Sequence, residues 1–568
     1  MPTLNKQWRL WLTDAMLIFI MAVLAGCGLI YEYLLSHYAG RVLGAVEHAI
    51  YTTIGLMIVF MGIGSFAARK IADEFTGFAW LEVLLGIVGA TSVLFIAMLI
   101  GFTFTLPQIL SHTFALPADV IPSGGIMQFL YQAARFTPYI AAAILGFMIG
   151  IEIPLIARVR EKVYQKHLTH NAGTIYGADY IGAGVGAAVW ILWMMSLEIN
   201  QAAVYTGTLN LVAGVLILVL FWSRIRWRKC LLLMQLLSLF LIVMLALNGN
   251  RWMQTFTDML YMDKVVYQQQ TEYQQIVISE RNLGPSRQSV LNLYLNGRLQ
   301  FSSADEKIYH EMLVHPVMAA SARLGKVLVI GGGDGLAARE IFKWPVQQLD
   351  MIELDPQMIE LFKQPEKYLP PKLAQQIIDL NQHSLVSDKL NVMIADAFNQ
   401  VDLLLEENTT YDAIIVDLPD PNHPDLNKLY TTYFYQRLAQ LLSADGAMVI
   451  QSTSPYHAKD AFISIAKTLG HAGLQNVEQY HQNVPSFGEW GWTIATKQGL
   501  PASVRIIDSE YPANLDWLTA PLLHASFVFP KNFYQRADQV KVNHLGSQTL
   551  FLYHDQAWRK QQGLLSVH

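Results

Sequence analysis

Long, nearly uncharged apolar blocks fill the first 250 or so residues of the chain, and short apolar runs separated by polar turns fill the rest. Seven blocks, near 14–36, 47–68, 78–103, 136–158, 173–197, 203–222 and 229–247, have the length an α-helix needs to cross a bilayer. From about 262 the period changes. Val265-Val266-Tyr267, Gln275-Ile276-Val277-Ile278 and Leu291-Asn292-Leu293-Tyr294-Leu295 read as short strands, and Asn296-Gly297 as a hairpin turn. Residues 262–302 are therefore a small β-domain. A helix is predicted over about 304–323. Strands near 326–330, 349–353, 391–394, 412–416, 446–451 and 490–496 then alternate with helical stretches, the pattern of a parallel sheet with helices on both faces. This gives a helical domain over 1–248, the β-domain, an α/β domain over 303–500, and an extension over 501–568 that reads as a cap or docking tail without assigned chemistry.

Composition sharpens the division. Hydrophobic residues make up 53% of the 568 and charged residues 15%, too apolar for an ordinary soluble enzyme. Residues 1–248 hold 14 basic and 11 acidic side chains; the remainder hold 25 and 33. The first part reads as a multi-pass domain of the cell membrane, the second as a soluble acidic domain. An acidic domain would suit a polycationic substrate, although ordinary solubilising charge more often gives such a balance, and nothing in it points to a nucleic-acid partner. Lys6, Arg9, Arg69, Lys70, Arg158, Arg160, Lys162, Lys166, Arg224, Arg226, Arg228 and Lys229 fall on one side of the predicted spans, with little beyond Arg41 and Arg135 opposite, which puts the N-terminus in the cytoplasm. Seven crossings leave residue 248 outside, whereas a domain using a cytosolic nucleoside should face inward. Either one segment does not span, or an extra one lies near 104–131, or the domain is extracytoplasmic, and its side stays open. Glu32, Glu152 and Asp179 lie at membrane depth, where ionisable groups are costly and either line a solute path or pair locally. The glycines at 177, 182, 184 and 186 are expected to let helices approach closely. Cys27 and Cys230 allow no disulfide framework and no metal motif.

The chemistry concentrates at strand ends. Val327-Leu328-Val329-Ile330 runs into Gly331-Gly332-Gly333-Asp334-Gly335, a strand feeding a glycine turn and then a helix, as at the nucleoside edge of a doubly wound sheet. Asp334 sets a fixed negative charge beside the ligand's tail, which favours a tail ending in an ammonium over one ending in a carboxylate. Glu353 closes the next strand, where a carboxylate commonly grips ribose hydroxyls. Asp396 ends a third strand and can accept from an adenine amino group. Asp417-Leu418-Pro419-Asp420-Pro421 ends a fourth. Such a loop is elsewhere most often a turn with solvated acids; here two carboxylates on a proline-stiffened loop can converge on one small cation.

Together these stretches resemble the spermidine synthase (polyamine aminopropyltransferase) family over about 262–497, and the apolar spans make the chain similar to its membrane-bound branch. The resemblance implies a Rossmann-like, class I methyltransferase-like domain behind the small β-domain. It also implies decarboxylated S-adenosylmethionine as co-substrate, no permanently bound cofactor and no metal; a homodimer stays open. By resemblance, Gly331 and Gly333 belong to the signature turn and Asp334 holds the aminopropyl ammonium. Glu353 binds the ribose, Asp396 and Ala397 border the adenine, Pro424 covers it, and Gln274 contacts the nucleoside from the β-domain. The segment Asp305-Glu306-Lys307-Ile308-Tyr309-His310-Glu311-Met312 resembles the family's DExxYHEM stretch, so Tyr309 and His310 border the amine together with Asp334, Asp417 and Asp420, and Asp417 is the catalytic base. Departures are Ala397 in place of a glycine, Asn296 in the Leu-Asp-Gly hairpin, and Pro485-Ser486-Phe487 where the family has Pro-Thr-Tyr. The last puts acceptor identity in question. His423 has no assigned role, and Trp490 and Trp492 either wall the amine pocket or fill the core.

The implied reaction is attack of an amine on the carbon beside a sulfonium, with putrescine as acceptor, spermidine as product and 5′-methylthioadenosine leaving. An alkyl ammonium near pKa 10.4 has no lone pair at neutral pH. Asp417 is the expected proton acceptor, with Asp420, Tyr309 and His310 orienting the nitrogen. Two rival readings stand beside it: a methyltransferase using S-adenosylmethionine itself, whose substrate carboxylate conflicts with Asp334, and a non-catalytic polyamine-binding transporter or sensor.

Overall fold

The computed structural model describes residues 2–43, 46–113, 125–165, 169–261, 263–284, 287–507 and 509–561, and the chain divides into two units at Val265. The first contains helices α1 (Pro2–Leu43), α2 (Val46–Ala67), α3 (Glu74–Thr113), α4 (Gly125–Arg135), α5 (Thr137–Tyr164), α6 (Asn171–Leu192), α7 (Ile199–Leu220) and α8 (Arg228–Tyr261). Seven candidate spans among the described residues are long and apolar enough to cross a membrane, α4 and α5 counting as one. The extra span considered near 104–131 falls partly outside the described residues. Small residues set the closest helix approach: a β-carbon at Gly182 would come 1.9 Å from the Ala22 carbonyl oxygen, and one at Gly186 would come 2.6 Å from that of Gly26. Gly177 and Gly184 face open space instead. Three residues of the expected basic side, Arg158, Arg160 and Lys162, contact α1, the start of α3 and the segment joining α2 to α3. Arg160 pairs with Asp14 at 2.6 Å, Lys162 with Glu74 at 2.8 Å, and Arg158 donates to the carbonyls of Ala68 and Ile71.

The second unit opens with an antiparallel sheet, β1 (Lys264–Gln270), β2 (Gln275–Arg281), β3 (Val290–Leu295) and β4 (Arg298–Ser302), turning at Asn296-Gly297 with both residues at positive φ. After helix α9 (Glu306–Ala320) comes the main sheet: β5 (Lys326–Gly331), β6 (Gln348–Glu353), β7 (Leu390–Ile394), β8 (Tyr411–Asp417), β9 (Leu442–Gln451), β10 (Asn476–Val484) and β11 (Gly488–Thr496), in the order β10-β11-β9-β8-β5-β6-β7. Strands β5 to β9 are parallel and β10–β11 form an antiparallel hairpin. Val327, Val329, Ala413, Ile415 and Val449 face one core and Leu328, Ile330, Ile414, Val416 and Ile450 the other, all fully buried, as a sheet covered on both faces requires. Chain order reverses between β5 and β8, so a switch-point crevice opens at their carboxyl ends. Strand β10 was not expected. It is an edge strand, and Gln479, His481, Gln482 and Asn483 break the apolar run that marks the interior strands. The extension after 500 docks on this unit: Glu311 on α9 accepts the backbone N–H groups of Asp516, Trp517 and Leu518 at 2.7–3.0 Å, and Phe533 and Val540 pack with Phe462.

Candidate active site

Gly331, the last residue of β5, pairs in register with Asp417, the last of β8. Its φ is +87°, and a β-carbon there would lie 2.1 Å from the Asp417 carbonyl oxygen, so only glycine lets the two strand ends meet. Gly333 makes a second close approach: its N–H donates to Glu353 Oε2 at 3.1 Å, and a β-carbon would come 2.7 Å from that oxygen. The other Glu353 oxygen accepts from Asp355 N at 3.0 Å. Burial pushes the Glu353 carboxyl up to about 7 despite these donors. Asp334 accepts from Leu336 N at 2.9 Å, behind which α10 (Leu336–Ile341) starts; burial raises its pKa, while the nearby His310 pulls it back.

Asp417 is the centre of the acid set. The Tyr309 hydroxyl donates to its Oδ1 at 2.7 Å, and its Oδ2 faces the glycine turn, 3.6 Å from where a Gly332 β-carbon would stand. Burial lifts Asp417 to about 6, with Asp334 adding to the rise and His310 and the Tyr309 hydroxyl opposing it. Around the Tyr309 ring stand His310, Trp492 and Phe487, with centroids 5.0, 5.7 and 6.0 Å away. Phe487 thus offers a ring edge where the family has a phenol, and Ser486 is tied to Asp305 through its N–H at 2.6 Å and its hydroxyl at 2.9 Å. Trp492 is fully buried and stacks on Tyr480, while Trp490 packs on Phe487.

His310 stands beside the Tyr309 ring and is anchored from behind. Its Nδ1 meets the Glu306 carbonyl at 2.8 Å and the Glu306 carboxylate at 3.0 Å. Burial alone would lower its pKa, but Glu306, Asp334 and Asp417 raise it to about 9. The same acids that raise it surround the ring. Glu306 is held in turn by Arg339, Nη1 to Oε1 at 2.8 Å and Nη2 to Oε2 at 2.9 Å.

Asp420 sits beside strand β9. Its Oδ1 accepts from Gln451 Nε2 and its Oδ2 from the Thr453 hydroxyl, both at 3.3 Å. The third partner comes from the C-terminal extension, for which no chemistry was expected. His554, on the terminal helix Thr549–Gln561 and 1% exposed, brings Nε2 to 3.1 Å from Asp420 Oδ2. Trp558 places its indole N–H 2.9 Å from the same nitrogen, so carboxylate and indole compete for it. Burial would raise the Asp420 pKa; His554, Gln451 and Arg298 hold it below the ordinary range.

On the nucleoside side, Gln274 Nε2 donates to Asp355 Oδ2 at 3.0 Å, and the Thr271 hydroxyl to the same oxygen at 2.7 Å. Asp355 was not foreseen, although Asp-Pro directly after a ribose acid is a visible helix-start signal, and its side chain caps the next helix. Asp396 caps the helix that begins at Ala397 by accepting from Phe398 N at 3.0 Å, and pairs with Lys428 at 2.6 Å; the adenine-facing role read from sequence must share its carboxylate with that lysine. Pro424 opens a short helix capped by His423, whose Nδ1 accepts from Asp425 N at 3.3 Å. Glycine turn, Glu353, Asp396, Asp417 and Asp420 thus all gather at the carboxyl edge of the sheet.

A switch-point crevice lined by carboxylates, on a sheet of this order, defines a doubly wound α/β domain with a ligand site at its carboxyl edge. Comparisons with known proteins narrow the class. Residues 306–506 match the model of the spermine/spermidine synthase domain. The chain is 53% identical over 555 residues to the polyamine aminopropyltransferase of Shewanella oneidensis, covering 98% of this chain and 96% of that one. It is 32% identical to polyamine aminopropyltransferase 1 of Streptomyces coelicolor over 96% and 94% of the two chains. Among solved structures it is similar to the spermidine synthase of Thermotoga maritima, with 24% identity, a TM-score of 0.40, and coverage of 49% of this chain and 88% of that one. The chain belongs to the polyamine aminopropyltransferase family, and its extent of match includes the apolar helices.

Proposed function

We propose that the enzyme transfers the aminopropyl group of decarboxylated S-adenosylmethionine to putrescine, giving spermidine and 5′-methylthioadenosine. The observation that carries this reading is Asp417, held by the Tyr309 hydroxyl at 2.7 Å and next to Gly331 at the switch point. The acceptor nitrogen attacks the carbon beside the sulfonium, the C–S bond breaks with its electrons going to sulfur, and the nitrogen's proton passes to Asp417 directly or through water. Sulfonium leaves readily, so the difficulty lies in uncovering the amine lone pair. Moving a proton from an ammonium near 10.4 to a carboxylate near 6 is uphill by about four units, roughly 6 kcal/mol. Desolvation of the bound ammonium lowers its pKa and reduces that gap, and in-line placement supplies much of the remaining rate.

Asp334 receives the donor's aminopropyl ammonium. Glu353 takes the ribose; Gln274, Asp396, Ala397 and Pro424 border the nucleoside. Asp420 takes the acceptor amine, and His554 pins Asp420. The seven apolar helices tether the enzyme in a lipid bilayer. Full-length protein incubated with decarboxylated S-adenosylmethionine and putrescine should release methylthioadenosine only when the amine is present; methyl transfer from S-adenosylmethionine, or tight polyamine binding without product, would overturn the proposal.

A further inference from the structure

Inside the first unit, α1, α3, α7 and α8 meet around a polar cluster. Glu82 on α3 is fully buried, and its Oε2 accepts from Asn210 Nδ2 on α7 at 3.3 Å. Asn210 Oδ1 in turn accepts from the Tyr31 hydroxyl on α1 at 3.3 Å. Glu82 Oε1 has no hydrogen-bond partner. Across from it on α8, Gln235 is 3% exposed and both its amide oxygen and its amide nitrogen are unpartnered. Ser238, about one turn further along α8, is fully buried with an unpartnered hydroxyl. Gly214 on α7 fixes their proximity: a β-carbon there would lie 2.5 Å from Gln235 Nε2 and 3.3 Å from Glu82 Cβ. Glu152 on α5, 2% exposed, stands within electrostatic reach of Glu82.

Buried polar atoms in folded proteins are nearly always paired, and an unpaired one calls for a reason. Here four of them lie on two neighbouring helices, beside a carboxylate, in an otherwise apolar bundle. Three are oxygens: carboxylate, amide carbonyl and hydroxyl. Hard oxygen donors that include a carboxylate able to ionise match a cation carrying little charge density and repel an anion; soft ligands for a transition metal are missing from the set. With a cation bound, Glu82 would give up its proton and supply the charge, and Gln235 and Ser238 the neutral donors.

We propose that the helical unit holds a monovalent cation at Glu82, Gln235 and Ser238, either an alkylammonium or an alkali-metal ion, at a site separate from the acid set of the second unit. The test uses full-length protein in lipid nanodiscs, with equilibrium binding of labelled putrescine, methylammonium and sodium measured for wild type, E82Q and Q235L, and methylthioadenosine release followed in parallel. Beyond the acceptor site, whose putrescine binding is unchanged, the expected result is one further cation site, about one per chain, weakened at least tenfold in both variants, with aminopropyl transfer within twofold of wild type. The cation that loses binding identifies the ligand. Unaltered binding of all three cations in Q235L, or in a folded E82Q, overturns the proposal, as does the absence of any site beyond the acceptor site in wild type.

Discussion

His554 gives the most discriminating test of the acceptor side. Its Nε2 lies 3.1 Å from Asp420 Oδ2, both groups are nearly shielded from solvent, at 1% and 11% side-chain exposure, and the contact helps keep Asp420 ionised inside the protein. Replacing His554 with alanine removes a hydrogen bond to a charged group, about 1.5–3 kcal/mol. Little solvent is present to screen or replace it. If that energy serves to orient Asp420 toward the amine, the KM for putrescine rises roughly 10- to 150-fold, at about 1.4 kcal/mol per factor of ten. The KM for decarboxylated S-adenosylmethionine should stay within twofold, because Glu353, Asp334 and Gln274 do not touch the terminal helix. Glutamine at 554 can still present an N–H near the Nε2 position and should recover most of the loss. Initial rates over a matrix of both substrates decide the matter. An alanine variant whose putrescine KM is unchanged, or one whose two KM values rise together with a fallen Tm and no recovery by glutamine, would refute the reasoning and leave His554 a packing residue.

Gly333→Ala should drive a methyl group against Glu353 Oε2, 2.7 Å away, raising the nucleoside KM at least tenfold with the putrescine KM little changed in the same assay. Arg339→Met should cost about 1.5–3 kcal/mol of stability, because Glu306 and Glu340 lose the buried guanidinium that joins them and keep only His310, and Lys343 with His315, as partners; denaturant unfolding in detergent measures it, and a loss below 1 kcal/mol would contradict the role of this network. Asp417 accepts a proton only when ionised, and its pKa is raised to about 6, so kcat/KM for the amine should be lost as the pH falls through 6 and be present above it. A pH–rate profile with its acid limb near 4 would contradict the buried-base account.

The parts of the molecule that were legible in the sequence are those where one residue type answers one physical demand. Interior strands such as Val327–Ile330 are apolar on both faces, and the signature glycines stand where side chains would strike Asp417 or Glu353. Edge strand β10 was illegible because one-sided burial permits Gln, His and Asn along it. His554 was hidden for another reason: it follows Asp420 by 134 positions, and only the docking of the extension brings them together. Glu82 escaped notice in a long apolar run, where its significance depends on Asn210 and Gln235 from other helices. The glycine turn and acids were read correctly as neighbours at strand ends, whereas the charge on His310 came from Glu306, four residues earlier on the same helix.

The central claim is that Asp417 takes the proton of an amine attacking an aminopropyl donor. The most direct measurement is single-turnover release of methylthioadenosine by wild type and Asp417→Asn, each saturated with decarboxylated S-adenosylmethionine and putrescine, with nucleoside affinity measured separately. The account predicts putrescine-dependent release in wild type, a loss of at least a hundredfold in the variant as expected for a general base, and nucleoside affinity within a few-fold. Equal release by both proteins would contradict it.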